Sequence, residues 1–261
     1  MFEIILLGII QGLTEWFPIS STGHLKLAKT ILGINLPSPF DIILHVGTLI
    51  ATIIFFREDV KKILRALLRL DFSKSEGGII IKRILIGTAF TVPVSLILMS
   101  LERLFYGERI TGFLFLLSGL ITYLSRIRKV GGKQIDLKGA ALIGAMQGLS
   151  ILPGLSRSGL TISVALMLGV KREEAFKFSF LISIPSIIGG LVVTSIMQCN
   201  NILQETGIEI RDIFIGTLIS ALLGYFSLKI LRRTLKYFHN FALYSLLLGL
   251  LLILMPFYAR F

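Results

Sequence analysis

The sequence predicts an all-α polytopic membrane protein: an inverted-topology repeat with six transmembrane helices plus two re-entrant helical hairpins. Three observations carry this: the hydropathy, the two lengths of apolar segment, and the distribution of basic residues. The 261 residues are 54% apolar and 16% charged, with a mean hydropathy of +0.85. Soluble domains carry roughly a quarter charged residues, so a water-soluble fold and a disordered chain are both excluded. The lone cysteine, Cys199, excludes a disulfide-stapled scaffold. The opening stretch MFEIILLGIIQGLTEWF has no basic n-region and no small-residue cleavage motif, so it is expected to belong to the mature fold.

Crossing the hydrocarbon core takes about 20 apolar residues. Segments near that length run over 39–56, 80–101, 111–126, 178–198, 211–231 and 240–258. Four others, 2–13, 19–33, 138–151 and 156–169, are too short to cross. They form two pairs, interrupted at Pro18 and at Pro153-Gly154, where the chain cannot stay helical. Unpaired backbone cannot face lipid, so each pair is expected to be a hairpin that enters and leaves on one side. Pro93 and Pro185, inside long spans, are expected to kink them.

The order short-short-long-long-long occurs twice, over 1–126 and 138–258, within one membrane domain. Gln11-Gly12-Leu13-Thr14 matches Gln147-Gly148-Leu149-Ser150, and Ser20 and Gly23 match Ser156 and Gly159 at equal offsets. An odd number of crossings inverts the second half, so the two hairpin tips are expected to meet near the midplane. Charge supports the arrangement. The connections 57–78, 127–137, 170–177 and 232–239 hold fifteen basic residues, whereas the opposite connections hold only Arg103, Arg109 and Arg260. By the positive-inside rule the former are cytoplasmic. This accounts for most of the +12 net charge with no nucleic-acid partner. The stretch Arg57 to Lys74 is expected to lie on the interface as an amphipathic helix.

The breaks carry residues that lipid does not tolerate. The first reads QGLTEWFPISSTGH and the second QGLSILPGLSRSGLT. An ionisable group at depth costs roughly 3 to over 10 kcal/mol, which makes Glu15, His24 and Arg157 candidate functional residues. A salt bridge between Glu15 and Arg157 that merely ties the hairpins together is the structural alternative, but it leaves His24 and the hydroxyls unexplained. The functional reading is an anion site. Helices starting near Ser20 and Ser156 aim free amides into the cavity. Arg157 offers a bidentate fork for phosphate, and Ser20, Ser21, Thr22, Ser156, Ser158 and Thr161 add hydroxyls. Gly154 lets the backbone approach. Glu15 with Gln11 offers oxygen ligands for a divalent cation, Mg²⁺ or Ca²⁺. His24 titrates where acid, base or nucleophilic work is done and is the first candidate nucleophile or base, with Ser21 the second and direct attack by water the alternative. The set suits phosphoryl transfer, and an anion carrier or lipid-phosphate flippase could use much of it.

The stretches QGLTEWFPISSTGH, PGLSRSGLT and KREEAFKFSFLISIP, with FDIILHVGTLIA after the first, resemble the signature segments of the undecaprenyl-diphosphate phosphatase family, also called the bacitracin-resistance family. The likeness runs in order over nearly the whole chain. It implies a plasma-membrane enzyme that removes the terminal phosphate of a C55 polyprenyl diphosphate. The monophosphate lipid carrier is thereby regenerated for cell-wall polymers, at a site open to the outer face and dependent on a divalent cation. By position, the family's acidic motif residue is Glu15, its first-motif serine Ser21, its histidine His24 and its second-motif arginine Arg157, with Ser156, Ser158 and Thr161 as neighbouring hydroxyls. Many members have a second glutamate where this chain has Gln11, which weakens any metal role there.

The remaining polar residues receive plainer readings. His45 and Asp41 are expected to support the fold, with a place just behind the site as the alternative, and His239 to be solvated in a cytoplasmic loop. Lys26 and Lys29 are expected to snorkel or to steer an anionic substrate. Trp16 and Phe17 are expected to pack a hairpin tip or meet the lipid tail. Gly189-Gly190, Gly216, Ala221 and Gly224 suit close helix packing or a homodimer face.

Overall fold

The computed structural model describes residues 1–36, 38–105, 107–126, 131–198 and 209–255. Cys199, Arg128, Lys129 and Arg260 therefore lie outside the described residues. The described chain is helical, apart from a single isolated bridge between Lys133 and Val170. In order the helices are α1 (Phe2–Thr14), α2 (Ser21–Leu32), α3 (Ser38–Phe55), α4 (Arg57–Leu68), α5 (Glu76–Ser100), α6 (Glu108–Leu124), α7 (Leu137–Leu149), α8 (Arg157–Met167), α9 (Arg172–Gln198), α10 (Ile210–Thr234) and α11 (Phe241–Leu254). Short 3₁₀ turns occupy Glu102–Phe105 and Leu235–Asn240.

The surface is inside out relative to a soluble domain. Buried polar residues include Thr48, Thr52, Thr91, Thr111, Ser118, Thr122, Ser183, Ser220, Ser227 and Ser245. Phe90, Leu96 and Ile97 on α5, Phe113 and Leu117 on α6, and Leu243, Leu247 and Leu250 on α11 are exposed. Small hydroxyls inside and large apolar side chains outside are what a helix bundle in lipid requires, because lipid solvates the outer face as well as the core does. α5, α9 and the stretch from α10 to α11 are long and apolar enough to cross, and α3 with α4 adds a further candidate span. The 210–254 stretch is 45 residues long. At ~1.5 Å per residue this far exceeds a hydrocarbon core of ~30 Å, so it is not one crossing. Its middle carries Arg232, Arg233 and Lys236, which belong at an interface.

Local chemistry sets the breaks. Pro18 and the 15–20 turn separate α1 from α2, and Pro153-Gly154 separates α7 from α8. Both second helices start on a serine cap. Ser20 Oγ accepts from the Gly23 amide at 3.3 Å, and Ser156 Oγ from the Gly159 amide at 3.1 Å. α4 leaves α3 at 86°, with Glu58 and Asp59 in its first turn where the helix dipole favours acids. After it, Asp71 accepts from the amides of Ser73, Lys74 and Ser75. These bonds hold its carboxyl down at about 2.

Each hairpin lies against a long helix of the other half: α1 along α10, and α7 along α5. Glycines permit the approach. A methyl at Gly8 would sit 2.8 Å from the Gly216 carbonyl, and one at Gly144 would strike Gly87. α6 packs on α11, and α3 on α10 and α9. Gly216 and Gly224 are thus used inside the chain, whereas the methyl positions of Gly189 and Gly190 face open space. Pro93 and Pro185 lie inside α5 and α9.

Candidate active site

The two breaks touch. Ser158 Oγ donates to the Phe17 carbonyl at 3.0 Å, Ser156 Oγ to the same carbonyl at 3.4 Å, and the Gly154 amide to Ser20 Oγ at 3.1 Å. Ser20 adopts φ 64°, a left-handed conformation unusual for a residue with a side chain. It turns the chain into α2 while its hydroxyl binds amides of both hairpins. Gly154, at φ +109°, has no room for a side chain: a methyl there would lie 2.6 Å from the Thr111 carbonyl.

At the contact lies Glu15, 7% exposed. Its Oε1 pairs with Arg157 Nη2. Its Oε2 accepts from Ser21 Oγ at 2.5 Å and Gln11 Nε2 at 3.0 Å, and lies 3.3 Å from His45 Nε2. The Arg157 guanidinium also stands over the fully buried Trp16 ring, 5.0 Å from its centroid, and 6.0 Å from that of Phe180. One face of the cation is therefore held by rings and one nitrogen by the carboxylate. Its Nη1 is buried with no partner among the described residues. A buried guanidinium N–H without an acceptor is costly, and a phosphate oxygen is the natural acceptor for it.

Sequence-selected residues divide into two groups. Glu15, Ser21, Gln11 and Arg157 meet directly. His24 stands apart from the ion pair. Its Nδ1 faces the Ser20 carbonyl at 2.7 Å, its Nε2 meets the Tyr244 hydroxyl at 2.6 Å, and its ring stacks on Tyr244. Thr22 Oγ1 is 3.4 Å from Ser20 Oγ, and Thr161 bonds the Arg157 carbonyl and Ser179. The imidazole against Glu15 is His45, expected from the sequence to support the fold or to stand just behind the site. Its Nδ1 faces the Asp41 carbonyl at 2.7 Å. An ionisable residue on an apolar span was the available signal for it. Tyr244 gave none, being a common interfacial residue 220 positions away. Lys26 and Lys29 are not free to steer a ligand: Lys26 bonds Thr111 Oγ1 at 2.9 Å, and Lys29 pairs with Asp41 at 2.6 Å.

The donor set fits a cation only in part. No group of three or more His, Cys, Asp and Glu that could hold a metal occurs among the described residues. Gln11 Oε1, however, is buried and without a partner among them. With Glu15 it could form one side of a hard-cation site whose other ligands come from phosphate oxygens, as Mg²⁺ often requires.

Fold and site together define a polytopic membrane protein that holds an arginine against a buried carboxylate at the junction of two broken helix pairs. Residues 4–251 match the family model described as bacitracin resistance protein BacA. An undecaprenyl-diphosphatase of Carboxydothermus hydrogenoformans is 38% identical over 243 residues, covering 90% of this chain and 88% of that protein. One of Halothermothrix orenii is 38% identical over 268 residues, and one of Methanosphaera stadtmanae 34% over 274, each covering 98% of both chains. The chain belongs to the bacitracin resistance protein BacA family.

Proposed function

We propose that the protein is an integral-membrane phosphatase that hydrolyses undecaprenyl diphosphate to undecaprenyl phosphate and inorganic phosphate, recycling the carrier lipid for cell-wall synthesis. The observation that carries this is Arg157, fixed on one side by Glu15 and Trp16 and left with a buried, unpartnered Nη1. The names of the relatives support the phosphatase reading and give the carrier or flippase reading no support.

In this reading the diphosphate enters between the hairpin tips and the prenyl chain stays among the apolar outer faces. Arg157 and the amides opening α8 take the terminal phosphate oxygens, and Ser156 and Ser158 can turn from Phe17 to join them. Glu15 holds Arg157 and Ser21 in place. A divalent cation, Mg²⁺ or Ca²⁺, held by Glu15 and Gln11, would neutralise the diphosphate. His24 serves as base or nucleophile. With Nδ1–H donating to the Ser20 carbonyl and the Tyr244 hydroxyl turned off Nε2, the Nε2 lone pair takes either a proton from the attacking water or the phosphoryl group itself, and in the second case water then cleaves the N–P bond to free orthophosphate. The phosphoanhydride P–O bond breaks, and the monophosphate lipid leaves with the bridging oxygen. Positioning and charge stabilisation supply most of the rate.

The finer architecture belongs to the same proposal: six crossings, two re-entrant hairpins, the 1–126 and 138–258 repeats inverted, and the site open outward in the plasma membrane. The matched serine caps and the reciprocal packing of α1 on α10 and α7 on α5 support it. Purified protein in detergent, where vectorial transport is impossible, should release phosphate from a prenyl diphosphate. Absence of release at any divalent-cation concentration would refute the phosphatase reading. An alkaline quench, in which the N–P bond of phosphohistidine survives, with ³¹P detection separates a phosphohistidine at His24 from direct attack by water.

A further inference from the structure

A second cluster of cations lies away from the hairpin junction. Where α6 ends, α9 begins and the 3₁₀ turn Leu235–Asn240 crosses them, a cavity of about 60 Å³ is lined by Ser125, Arg126, Leu166, Arg172, Leu235, Phe238 and His239. The sequence reading expected His239 to be solvated, but it is half-buried in this wall. Both arginines lie close enough to His239 to act on it electrostatically. No carboxylate pairs with Arg126 or Arg172 among the described residues; Arg126 lies over the Tyr123 ring at 4.6 Å. The neighbouring sequence 127–130 reads Ile-Arg-Lys-Val and supplies no acid. The Ser125 hydroxyl is turned onto the Thr122 carbonyl at 2.7 Å, so the cavity's free donors are the guanidinium and imidazole groups.

Three basic side chains around one concavity repel one another, and a chain of this length could have placed Asp or Glu among them. An anion removes the repulsion. One water needs roughly 10–15 Å³ of such a cavity, so a tetrahedral ion of five non-hydrogen atoms can be accommodated. Paired guanidinium forks bind its oxygens bidentately, and a tetrahedral ion offers oxygens to both forks at once, which a halide cannot. We propose that Arg126, Arg172 and His239 form a second phosphate-binding site. It is separate from the Glu15–Arg157 centre and takes a terminal phosphate group, either free orthophosphate or a lipid phosphomonoester headgroup. It depends on no step of the hydrolysis.

The chain has three histidines, so full-length protein labelled with ¹⁵N-histidine in detergent gives one separable signal for His239, assigned with His239→Gln. Titration with orthophosphate should move that signal saturably, and sodium chloride at equal ionic strength should not. Phosphatidic acid, with phosphatidylcholine as control, tests the lipid source. A response to either phosphate form supports the site and identifies its source. The double variant Arg126→Gln/Arg172→Gln should raise the half-saturating concentration at least about tenfold. Unmoved His24 and His45 signals verify its fold, and the exposed Arg126→Gln alone carries the test if the double variant does not fold. No response to either phosphate form, an equal response to chloride, or an unchanged titration in the variants would overturn the proposal. Loss of phosphatase activity in an Arg157 variant with this titration intact would bear only on the catalytic reading.

Discussion

The pairing of Glu15 with Arg157 can be separated into what it does for the fold and what it does for the reaction. Arg157→Gln removes the Nη2 contact and the guanidinium at the carboxylate, leaving Glu15 buried with Ser21, Gln11 and His45 as its partners among the described residues. Breaking one side of a buried pair costs about 3–5 kcal/mol. For a chain of this size about 1 kcal/mol shifts Tm by ~2–4 °C, so a fall of roughly 6–20 °C in detergent is expected. The same change removes the Nη1 donor offered to phosphate. Loss of one preorganised donor to developing charge costs about 10²–10³ in rate, and a full cation should cost at least that. The decisive variant is Glu15→Gln/Arg157→Gln. With neither charge buried, its Tm should return most of the way to wild type. Its phosphate release from a prenyl diphosphate should stay at least about a hundredfold down. Recovery of activity together with Tm would mean that the ion pair only holds the hairpins together, and the phosphate-binding role of Arg157 would fall.

Other perturbations follow from the same geometry. His45→Gln keeps a donor near Glu15 Oε2 without the imidazole, and a fall of about tenfold to a hundredfold in kcat with little change in KM is expected; unchanged kcat would return His45 to a purely supporting role. Gln11→Glu should lower the Mg²⁺ concentration for half-maximal activity, read by restoring metal to chelated enzyme, because a second carboxylate strengthens a hard-cation site. Gly144→Ala drives a methyl into Gly87 and should cost about 1–3 kcal/mol in stability, measured by thermal unfolding, with activity per folded molecule retained. Asp71→Asn tests the turn after α4. The folded carboxyl lies at about 2, below its ordinary 3.8, so its stabilisation is complete above ~4 and disappears as pH falls through about 2. The variant should melt below wild type at neutral pH and converge with it in acid.

The two breaks were legible because proline and glycine interrupt apolar runs. Predicted and observed ends differ most at α9. Hydropathy starts that span at 178, but the helix begins at Arg172. The charged turn Arg172–Lys177 is helical without being apolar, and its Lys177 ammonium pairs with Asp59 and Glu76. Glu15 and Arg157 were legible as charges with no reason to be in lipid. His45 was legible only as an ionisable residue on an apolar span, and Tyr244 not at all, because each reaches its partner by tertiary packing between elements that no spacing rule connects. The left-handed backbone at Ser20 was equally hidden, since serine gives no local sign of it.

The chain contains a single tryptophan, Trp16, and that indole lies beneath the guanidinium of Arg157 with no exposure to solvent. The protein therefore carries its own optical reporter at the place where an anion would arrive. Any molecule that draws Arg157 off the ring should change the ultraviolet emission of the unlabelled wild type. Occupancy can then be followed in real time, with substrate, product or inhibitor, without attaching a dye to a molecule whose outer surface is meant for lipid.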